Sequence, residues 1–241
     1  MRDFHAFSNA QDLSQAAAEL FIKASHKAIE ERGIFTVALS GGSTPKHLFE
    51  ILAQPSCSRD VPWNRTLIFW SDERAVPPDS ELSNYRLAND TLLSRISIPE
   101  KNILRIKGEL GAQQAAEELE RDLNETFGDQ GMPRFDLLLL GLGTDGHTAS
   151  LFPGTEALSA TTMTATVINP PANPQVDRVT FSLPLLNNAR TALFMVTGDS
   201  KRRIVSEIRN DPTAVQRYPA ARISTQKTLW FVDRAALGEG E

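Results

Sequence analysis

The sequence predicts an α/β fold in which one domain, residues 1–241, is built on an open, doubly wound, mostly parallel sheet with helices on both faces. Two observations predict it. Short apolar stretches alternate with longer ones whose apolar residues recur at helical spacing. Four of the short stretches run directly into polar segments, which is typical of strand–loop–helix units. With 241 residues, 41% of them apolar, the chain can fill a single core.

The predicted elements follow one another in a βα order. Residues 9–32 form a helix that ends before Gly33, and a second helix starts near Pro45. Further helices cover residues 83–96 and 113–127. The four clearest strands are IFTVAL (34–39), TLIFW (66–70), FDLLLL (135–140) and TALFMV (191–196). We expect DRVTFSL (177–183) and TLWFV (228–232) to complete the same sheet, and the proline-rich residues 161–174 to form an irregular crossing segment.

Composition excludes several function classes. The net charge is −5 and no basic block interrupts the chain, so neither nucleic acid nor a membrane surface is an expected partner. No stretch approaches the roughly 18 to 20 apolar residues of a membrane span. Cys57 is the one cysteine, which excludes an intramolecular disulfide framework and fits a reducing compartment. We therefore expect a cytoplasmic protein with a small-molecule ligand, as a monomer or, alternatively, a dimer.

The segment SGGSTP follows the IFTVAL strand and suits phosphate binding. Gly41 and Gly42 let the backbone approach a ligand closely, Thr44 is a good N-cap, and Pro45 suits a first helical turn. Backbone N–H groups at a helix N-terminus, with the Ser43 and Thr44 hydroxyls, bind anions. The alternative is a tight turn without a ligand.

Charged residues follow two other strands and begin a third. Asp72 and Arg74 lie just after TLIFW, Arg178 begins the weaker strand, and Lys201 lies in a first helical turn after TGDS. Each is also consistent with an ordinary solvated charge. A lysine at a helix N-terminus opposes the helix dipole, however, which favours an anion beside Lys201.

The segment GLGTDGHTASLFPG carries the strongest catalytic candidate. It contains GxGxxG, but Pro153 and Gly154 interrupt the helix that a dinucleotide site requires, and no acidic residue lies where the ribose would need one. His147, beside Asp145, is the one histidine of four at the ligand edge and suits a general base. The other histidines show no metal-ligand spacing, and no GxSxG nucleophile motif exists, so water is the expected nucleophile.

Five segments together resemble a known family. SGGSTP, SDERAVPPDSELSNYRLANDTLL, FDLLLLGLGTDGHTASLFPG, RVTFSLPLLNNAR and TGDSKR occur in order over nearly the whole chain. They resemble the glucosamine-6-phosphate isomerase/6-phosphogluconolactonase family, and its lactonases in particular. The resemblance implies cofactor-free hydrolysis of 6-phospho-D-glucono-1,5-lactone to 6-phospho-D-gluconate, the second step of the oxidative pentose phosphate pathway.

The resemblance also implies roles for individual residues. His147 would be the general base, with Asp145 beside it. The residues expected to hold the phosphate and shape the pocket are Gly41, Gly42, Ser43, Thr44, Asp72, Arg74, Arg178 and Lys201. Two alternatives stay open: an amino-sugar phosphate isomerase or deaminase, in which Asp72 would act on substrate carbon, and a non-catalytic sugar-phosphate sensor.

Overall fold

The computed structural model describes residues 3–129 and 131–238, and two sheets organise them. The strands are β1 (Asp3–Phe7), β2 (Phe35–Leu39), β3 (Thr66–Trp70), β4 (Asp72–Arg74), β5 (Leu137–Leu140), β6 (Thr164–Val167), β7 (Arg178–Phe181), β8 (Thr191–Val196) and β9 (Lys227–Asp233). The larger sheet has six parallel strands in the order β1-β9-β8-β5-β2-β3. This confirms the predicted open, mostly parallel α/β sheet.

Helices connect these strands and cover the sheet. They are α1 (Ala10–Arg32), α2 (Ser43–Leu52), α3 (Pro55–Ser58), α4 (Asn84–Thr91), α5 (Ala112–Phe127), α6 (Leu183–Asn187), α7 (Arg202–Asn210), α8 (Ala214–Arg217) and α9 (Arg234–Leu237). Every residue of β2 and β5 is buried, so both faces of the sheet are covered at its centre. Along the described residues, no helix is long and apolar enough to cross a membrane.

The first predicted helix illustrates why the sequence folds as it does. The Asn9 side chain accepts a hydrogen bond from the Asp12 backbone N–H at 2.9 Å, which caps the start of α1. Gly33 adopts φ 80° and ends the helix, as its position after the apolar repeat predicted. Between them, Leu13, Ala17 and Phe21 are buried against the sheet and its neighbouring helices.

The expectation that residues 177–183 complete the main sheet is wrong. The chain leaves the main sheet at Ser71, directly after β3, and β4 then pairs antiparallel with β7. Residues 161–174 were expected to be irregular throughout, but β6 lies within them and forms the other edge of this second, three-stranded sheet. Local sequence does not distinguish the two outcomes, because an apolar strand is buried equally well in either sheet. The edge strand β1 was not predicted at all.

The side on which new strands are added to the main sheet changes at β2. From β2 the chain adds β3 on one side, and it later places β5 on the other side of β2. In open α/β sheets such a switch point leaves a crevice beyond the carboxyl ends of the two strands. The segments that follow β2 and β5 are Ser40–Gly42 and Gly141–His147, so the fold brings both candidate motifs to one crevice.

Asp136 ties the opposite end of this strand pair together. Its Oδ2 accepts hydrogen bonds from the Thr36 backbone N–H at 2.9 Å and from the Thr36 hydroxyl at 3.0 Å. Its Oδ1 lies 2.8 Å from Arg32 and 3.3 Å from Arg190. One buried carboxylate thus joins α1, β2 and the start of β8, and fixes the register of the central strands.

We expect Asp136→Asn to destabilise the fold by about 2 kcal/mol, because one of the two oxygens then no longer accepts from its charged or buried donors. Urea denaturation measures the change in the free energy of unfolding. The matched control is Asp90→Asn, which removes an exposed carboxylate 3.4 Å from Arg86, and we expect a change below about 0.5 kcal/mol. Equal effects of the two substitutions would contradict the structural role of Asp136.

Candidate active site

A cavity of about 220 Å³ lies at the switch point of the main sheet. Its walls come from the turn after β2, the loop after β5, and the β4–β7 pair of the second sheet. The lining residues are Ser40, Gly41, Gly42, Asp72, Arg74, Asn84, Gly141, Leu142, Gly143, His147, Ala149, Arg178 and Lys201. Residues more than 160 positions apart in the chain therefore meet around one small space.

His147 is oriented by Asp145. The Nδ1 atom of His147 lies 2.6 Å from Asp145 Oδ1, and the same oxygen accepts from the His147 backbone N–H at 3.1 Å. Because an ionised carboxylate only accepts hydrogen bonds, Nδ1 carries the proton and Nε2 is left as the basic nitrogen. The imidazole also packs on the Phe152 ring, with centroids 4.5 Å apart.

Opposing effects act on the pKa of Asp145. Partial burial raises this pKa, but the hydrogen bond and charge of His147 lower it more, and the net direction is downward. The Asp145 carboxylate therefore stays ionised at neutral pH. In that state it holds the Nδ1–H tautomer of His147.

The loop that carries His147 is held on two sides. Inside the loop, the Gly143 N–H donates to the His147 carbonyl at 2.9 Å, and the Thr148 hydroxyl donates to the Gly141 carbonyl at 2.9 Å. Outside it, the Ala220 N–H donates to the Gly146 carbonyl at 3.0 Å. Gly146 has φ 85° and lies so close to a neighbouring ring, that of Tyr218, that a Cβ would not fit.

Arg74 and Arg178 lie opposite each other across the β4–β7 pair. Among the described residues, neither guanidinium forms an ion pair, and the Nε atoms of both are buried without a hydrogen-bond partner. Burial lowers the pKa of Arg178, the positive charge of Arg74 lowers it further, and Asp72 acts in the opposite direction. Two adjacent cations with unused donors constitute a site for an anion.

Lys201 contributes a third cation from the other side of the cavity. It ends a single 3₁₀ turn that precedes α7, at the carboxyl end of β8. Burial lowers its pKa, and within the described parts of the chain its ammonium has no carboxylate within 4 Å. The turn predicted for Lys201 is thus a 3₁₀ turn, and Lys201 is the N-cap of α7 and not part of its first turn. Because no carboxylate of the described residues pairs with it, its charge is available to a ligand.

Asp72 is the one acidic residue among the cavity-lining residues. It is 5% exposed, and its Oδ2 accepts a hydrogen bond from the Ser150 hydroxyl at 2.6 Å. The Asn84 side chain donates to the Asp72 carbonyl at 2.9 Å, and its Oδ1 is buried without a partner. Neither Ser150 nor Asn84 was predicted for the site. Only their tertiary contacts with Asp72 indicate them.

The neighbouring Glu73 has a structural role. Its carboxylate accepts from the backbone N–H groups of Asn84 and Tyr85, both at 2.8 Å, and from the Ser83 hydroxyl at 3.0 Å. Burial raises its pKa, and the hydrogen bonds from the backbone oppose this increase. Glu73 thereby holds the start of α4, which places Asn84 against the cavity.

The turn after β2 differs from the prediction in its capping. Gly42, with φ 107°, is the N-cap of α2, and the helix begins at Ser43. The predicted cap, Thr44, lies inside the helix and its hydroxyl is 2.8 Å from the Thr197 hydroxyl. Glycine takes the cap because this conformation is strained for residues with a side chain. Gly41 and Gly42 line the cavity, whereas Ser43 and Thr44 are not among its lining residues.

The structure therefore brings most of the predicted site together. Seven predicted residues line the cavity: Gly41, Gly42, Asp72, Arg74, His147, Arg178 and Lys201. Asp145 contacts the cavity through His147. Among the described residues, no three His, Cys, Asp or Glu side chains are grouped so that they could hold a metal ion.

Known proteins are similar to this chain in sequence. The model of the family described as glucosamine-6-phosphate isomerases/6-phosphogluconolactonase matches residues 8–230. The 6-phosphogluconolactonase of Synechocystis sp. is 43% identical over 214 residues, which cover 87% of this chain and 86% of that protein. The 6-phosphogluconolactonase of Nostoc sp. is 38% identical over 218 residues, with 88% and 87% covered.

Solved structures give the same result. The crystal structure of 6-phosphogluconolactonase from Thermotoga maritima matches with a TM-score of 0.84 and 32% identity, and covers 97% of this chain and 100% of that one. A monomeric glucosamine-6-phosphate deaminase matches with a TM-score of 0.81 over 99% and 100%, but at 20% identity this likeness is one of fold alone. Because the family model matches most of this chain, the chain belongs to the glucosamine-6-phosphate isomerase/6-phosphogluconolactonase family.

Proposed function

We propose that the protein hydrolyses 6-phospho-D-glucono-1,5-lactone to 6-phospho-D-gluconate, the second step of the oxidative pentose phosphate pathway. One observation carries the proposal. An imidazole whose Nδ1 is bound to Asp145 shares a small cavity with cations that have no carboxylate partner among the described residues. A site with both a base and an anion anchor suits a reaction on a phosphorylated ester. The relatives named 6-phosphogluconolactonase support the same activity.

The charges of the cavity match a phosphate group. Arg74, Arg178 and Lys201 supply three positive charges to its walls, and Asp72 supplies one negative charge. The excess of two positive charges balances the two negative charges of a phosphate dianion. The backbone at Gly42, at the N-terminus of α2, adds the positive end of a helix dipole. We therefore assign the phosphate to the space between Gly42, Lys201 and the two arginines, all of which line the cavity.

The chemistry then follows from the position of His147. Its Nε2 takes a proton from water as the water oxygen attacks the lactone carbonyl carbon, giving a tetrahedral oxyanion. When the oxyanion collapses, the bond from this carbon to the ring oxygen breaks, and the imidazolium returns the proton to that oxygen. Asp145 stabilises the imidazolium between these steps. The products are a carboxylic acid and a free hydroxyl, so the atoms of one water molecule are consumed.

Direct attack by water is supported by the hydrogen bonds of the nearby hydroxyl groups. The Ser150 hydroxyl donates to Asp72, and the Ser40 hydroxyl faces the Gly41 carbonyl at 3.4 Å. Neither of these hydroxyls is bound to His147. Nucleophilic catalysis by serine requires such a bond between nucleophile and base.

We also propose that the protein works in the cytoplasm without a nucleic-acid or membrane partner, as a monomer, with a dimer as the alternative. The single cysteine and the net charge of −5 support this setting. Relatives from rice are named chloroplastic, so the compartment differs between members of the family. Fractionation of cells that express the protein, and light scattering of the purified protein, test these two points.

The first prediction from the proposed function concerns His147 as the general base. We expect His147→Ala to lower kcat by about 10²- to 10⁴-fold, because a positioned general base is lost. The assay follows the decay of freshly made lactone at a pH that slows its spontaneous hydrolysis. His26→Ala, an exposed histidine on α1, is the matched control and should keep wild-type turnover.

Two outcomes would contradict this assignment. Near-normal turnover by His147→Ala would remove His147 as the base. Absence of any acceleration by the wild-type protein would overturn the lactonase activity itself. In that case, ring opening of glucosamine 6-phosphate tests the deaminase alternative, and tight sugar-phosphate binding without turnover tests the sensor alternative.

The second prediction concerns the phosphate. We expect Lys201→Ala to raise KM by about 10-fold or more while kcat changes little, because a charged hydrogen bond contributes about 1.5 to 3 kcal/mol to binding. Lys46→Ala removes an exposed lysine that lies 3.8 Å from Glu50, and serves as the control for loss of charge. Equal KM values for the two variants would exclude Lys201 from the anchor.

The third prediction follows from the lowered pKa of Lys201. A lowered pKa means that Lys201 loses its proton at a lower pH than an ordinary lysine, so affinity for the phosphorylated product should weaken as pH rises through that pKa. Isothermal titration with 6-phosphogluconate over a pH series measures this loss. Lys201→Arg keeps its charge at alkaline pH and should flatten the curve. An unchanged curve in this variant would contradict the prediction.

A further inference from the structure

The His147–Asp145 pair lies directly over the α-carbon of Gly143. A Cβ built on Gly143 would collide with His147 Nδ1, His147 Cε1 and Asp145 Oδ1, all at distances well under 3.0 Å. Nδ1 and Oδ1 are also the two atoms of the 2.6 Å hydrogen bond between the side chains. The space that glycine leaves open is therefore occupied by the hydrogen bond that orients the base.

Glycine is required at position 143 for a different physical reason than at the other turns of the site. Gly42 and Gly146 have φ of 107° and 85°, a conformation that disfavours any side chain. Gly143 is not among the glycines with positive φ, so its backbone would accept alanine. The atoms that a methyl group there would meet first belong to the side chains of His147 and Asp145.

We propose that Gly143 is a positioning residue for catalysis: its missing side chain is what allows Asp145 to hold His147 in the Nδ1–H tautomer. The proposal rests on the proposed function, in which His147 is the base. The Gly143 N–H also donates to the His147 carbonyl at 2.9 Å, so this one residue fixes both the backbone and the ring of His147.

The collision also predicts what kind of damage a methyl group would do. The atoms that it meets are the ends of two partly exposed side chains, with 32% and 43% of their surface accessible. Such side chains rotate away at little cost to folding, whereas buried backbone does not. Gly143→Ala should therefore leave the fold intact and break the His147–Asp145 hydrogen bond.

The first experiment measures the protonation of the His147–Asp145 pair in the absence of substrate. In ¹⁵N-labelled protein, the ring-nitrogen shifts of His147 report which nitrogen carries the proton. We expect the Nδ1–H form in wild type and its loss in Gly143→Ala. Gly141→Ala is the matched control in the same loop, because its Cβ meets nothing closer than the Ser40 hydroxyl at 4.0 Å, and it should keep the Nδ1–H form. Retention of that form in Gly143→Ala would overturn the proposal.

The second experiment measures catalysis. We expect Gly143→Ala to lower kcat by about 10- to 100-fold, with the Kd for 6-phosphogluconate changed less than about threefold, because the base is disoriented and the anion anchor is not. Thr144→Ala, at the exposed neighbouring position, should keep wild-type turnover. In an Asp145→Ala background the same Gly143 substitution should add less than about threefold, since the hydrogen bond is already absent. Full additivity in that cycle would overturn the proposal.

The two experiments test the role of Gly143 separately from the lactonase activity. If the wild-type protein fails to hydrolyse the lactone, the proposed function fails, while the tautomer measurement still decides the role of Gly143. If Gly143→Ala does not fold, the double variant with His147→Ala lacks the ring that the methyl group meets, and the exposed Asp145 carboxylate, no longer bound to that ring, is free to rotate away. It should then recover the melting temperature of His147→Ala alone, and a double variant that stays unfolded would contradict the proposed contact.

Discussion

The parallel pairing of β2 with β5 determines where the chemistry of this protein is located. Both strands are buried along their whole length, and their one polar side chain, that of Thr36, donates to Asp136, so neither strand offers a polar group to a ligand within the sheet. Because they run in the same direction, the first residues free to be polar after each strand emerge at the same edge. The glycine turn after β2 and the loop of His147 meet there for this reason, and Asp136 fixes the register from the opposite end.

The second sheet adds what the first one lacks. The main sheet places the base and the glycine turn, but the two arginines come from β4 and β7, which pair antiparallel. Arg178 is buried beside the half-buried Arg74, and neither has a carboxylate partner among the described residues, an arrangement that opposes folding. The rest of the core must offset that cost, and a bound anion would relieve it. Such a local loss of stability is expected at a binding site.

The orientation of His147, the proposed base, depends on small residues as much as on charged ones. Asp145 selects the tautomer of His147, yet Gly143 provides the space and Gly146 allows the loop to pack against the ring of Tyr218. Each of these glycines acts through a different physical constraint. The glycine-rich pattern after β5, which in sequence resembles a dinucleotide motif, is thus explained by the packing of the loop that carries His147.

The sequence by itself determined the α/β class, the positions of the main strands along the chain and the strand ends at which the candidate site lies, because apolar periodicity and the polar residues that follow each strand are local properties of the chain. It also singled out His147, Arg74, Arg178 and Lys201, since polar residues directly after buried strands need a reason to be there. It misplaced the N-cap of α2 at Thr44, because cap propensity favours threonine, whereas the chain begins this helix from Gly42 at φ 107°. It also assigned β7 to the wrong sheet.

Tertiary structure alone decided the remaining features. The contacts of Asn84 and Ser150 with Asp72, the cross-strand pairing of Arg74 with Arg178, and the position of Gly143 beneath the His147–Asp145 hydrogen bond join residues through space. No local propensity encodes such contacts, because each depends on which strand pairs with which and on the distances that result.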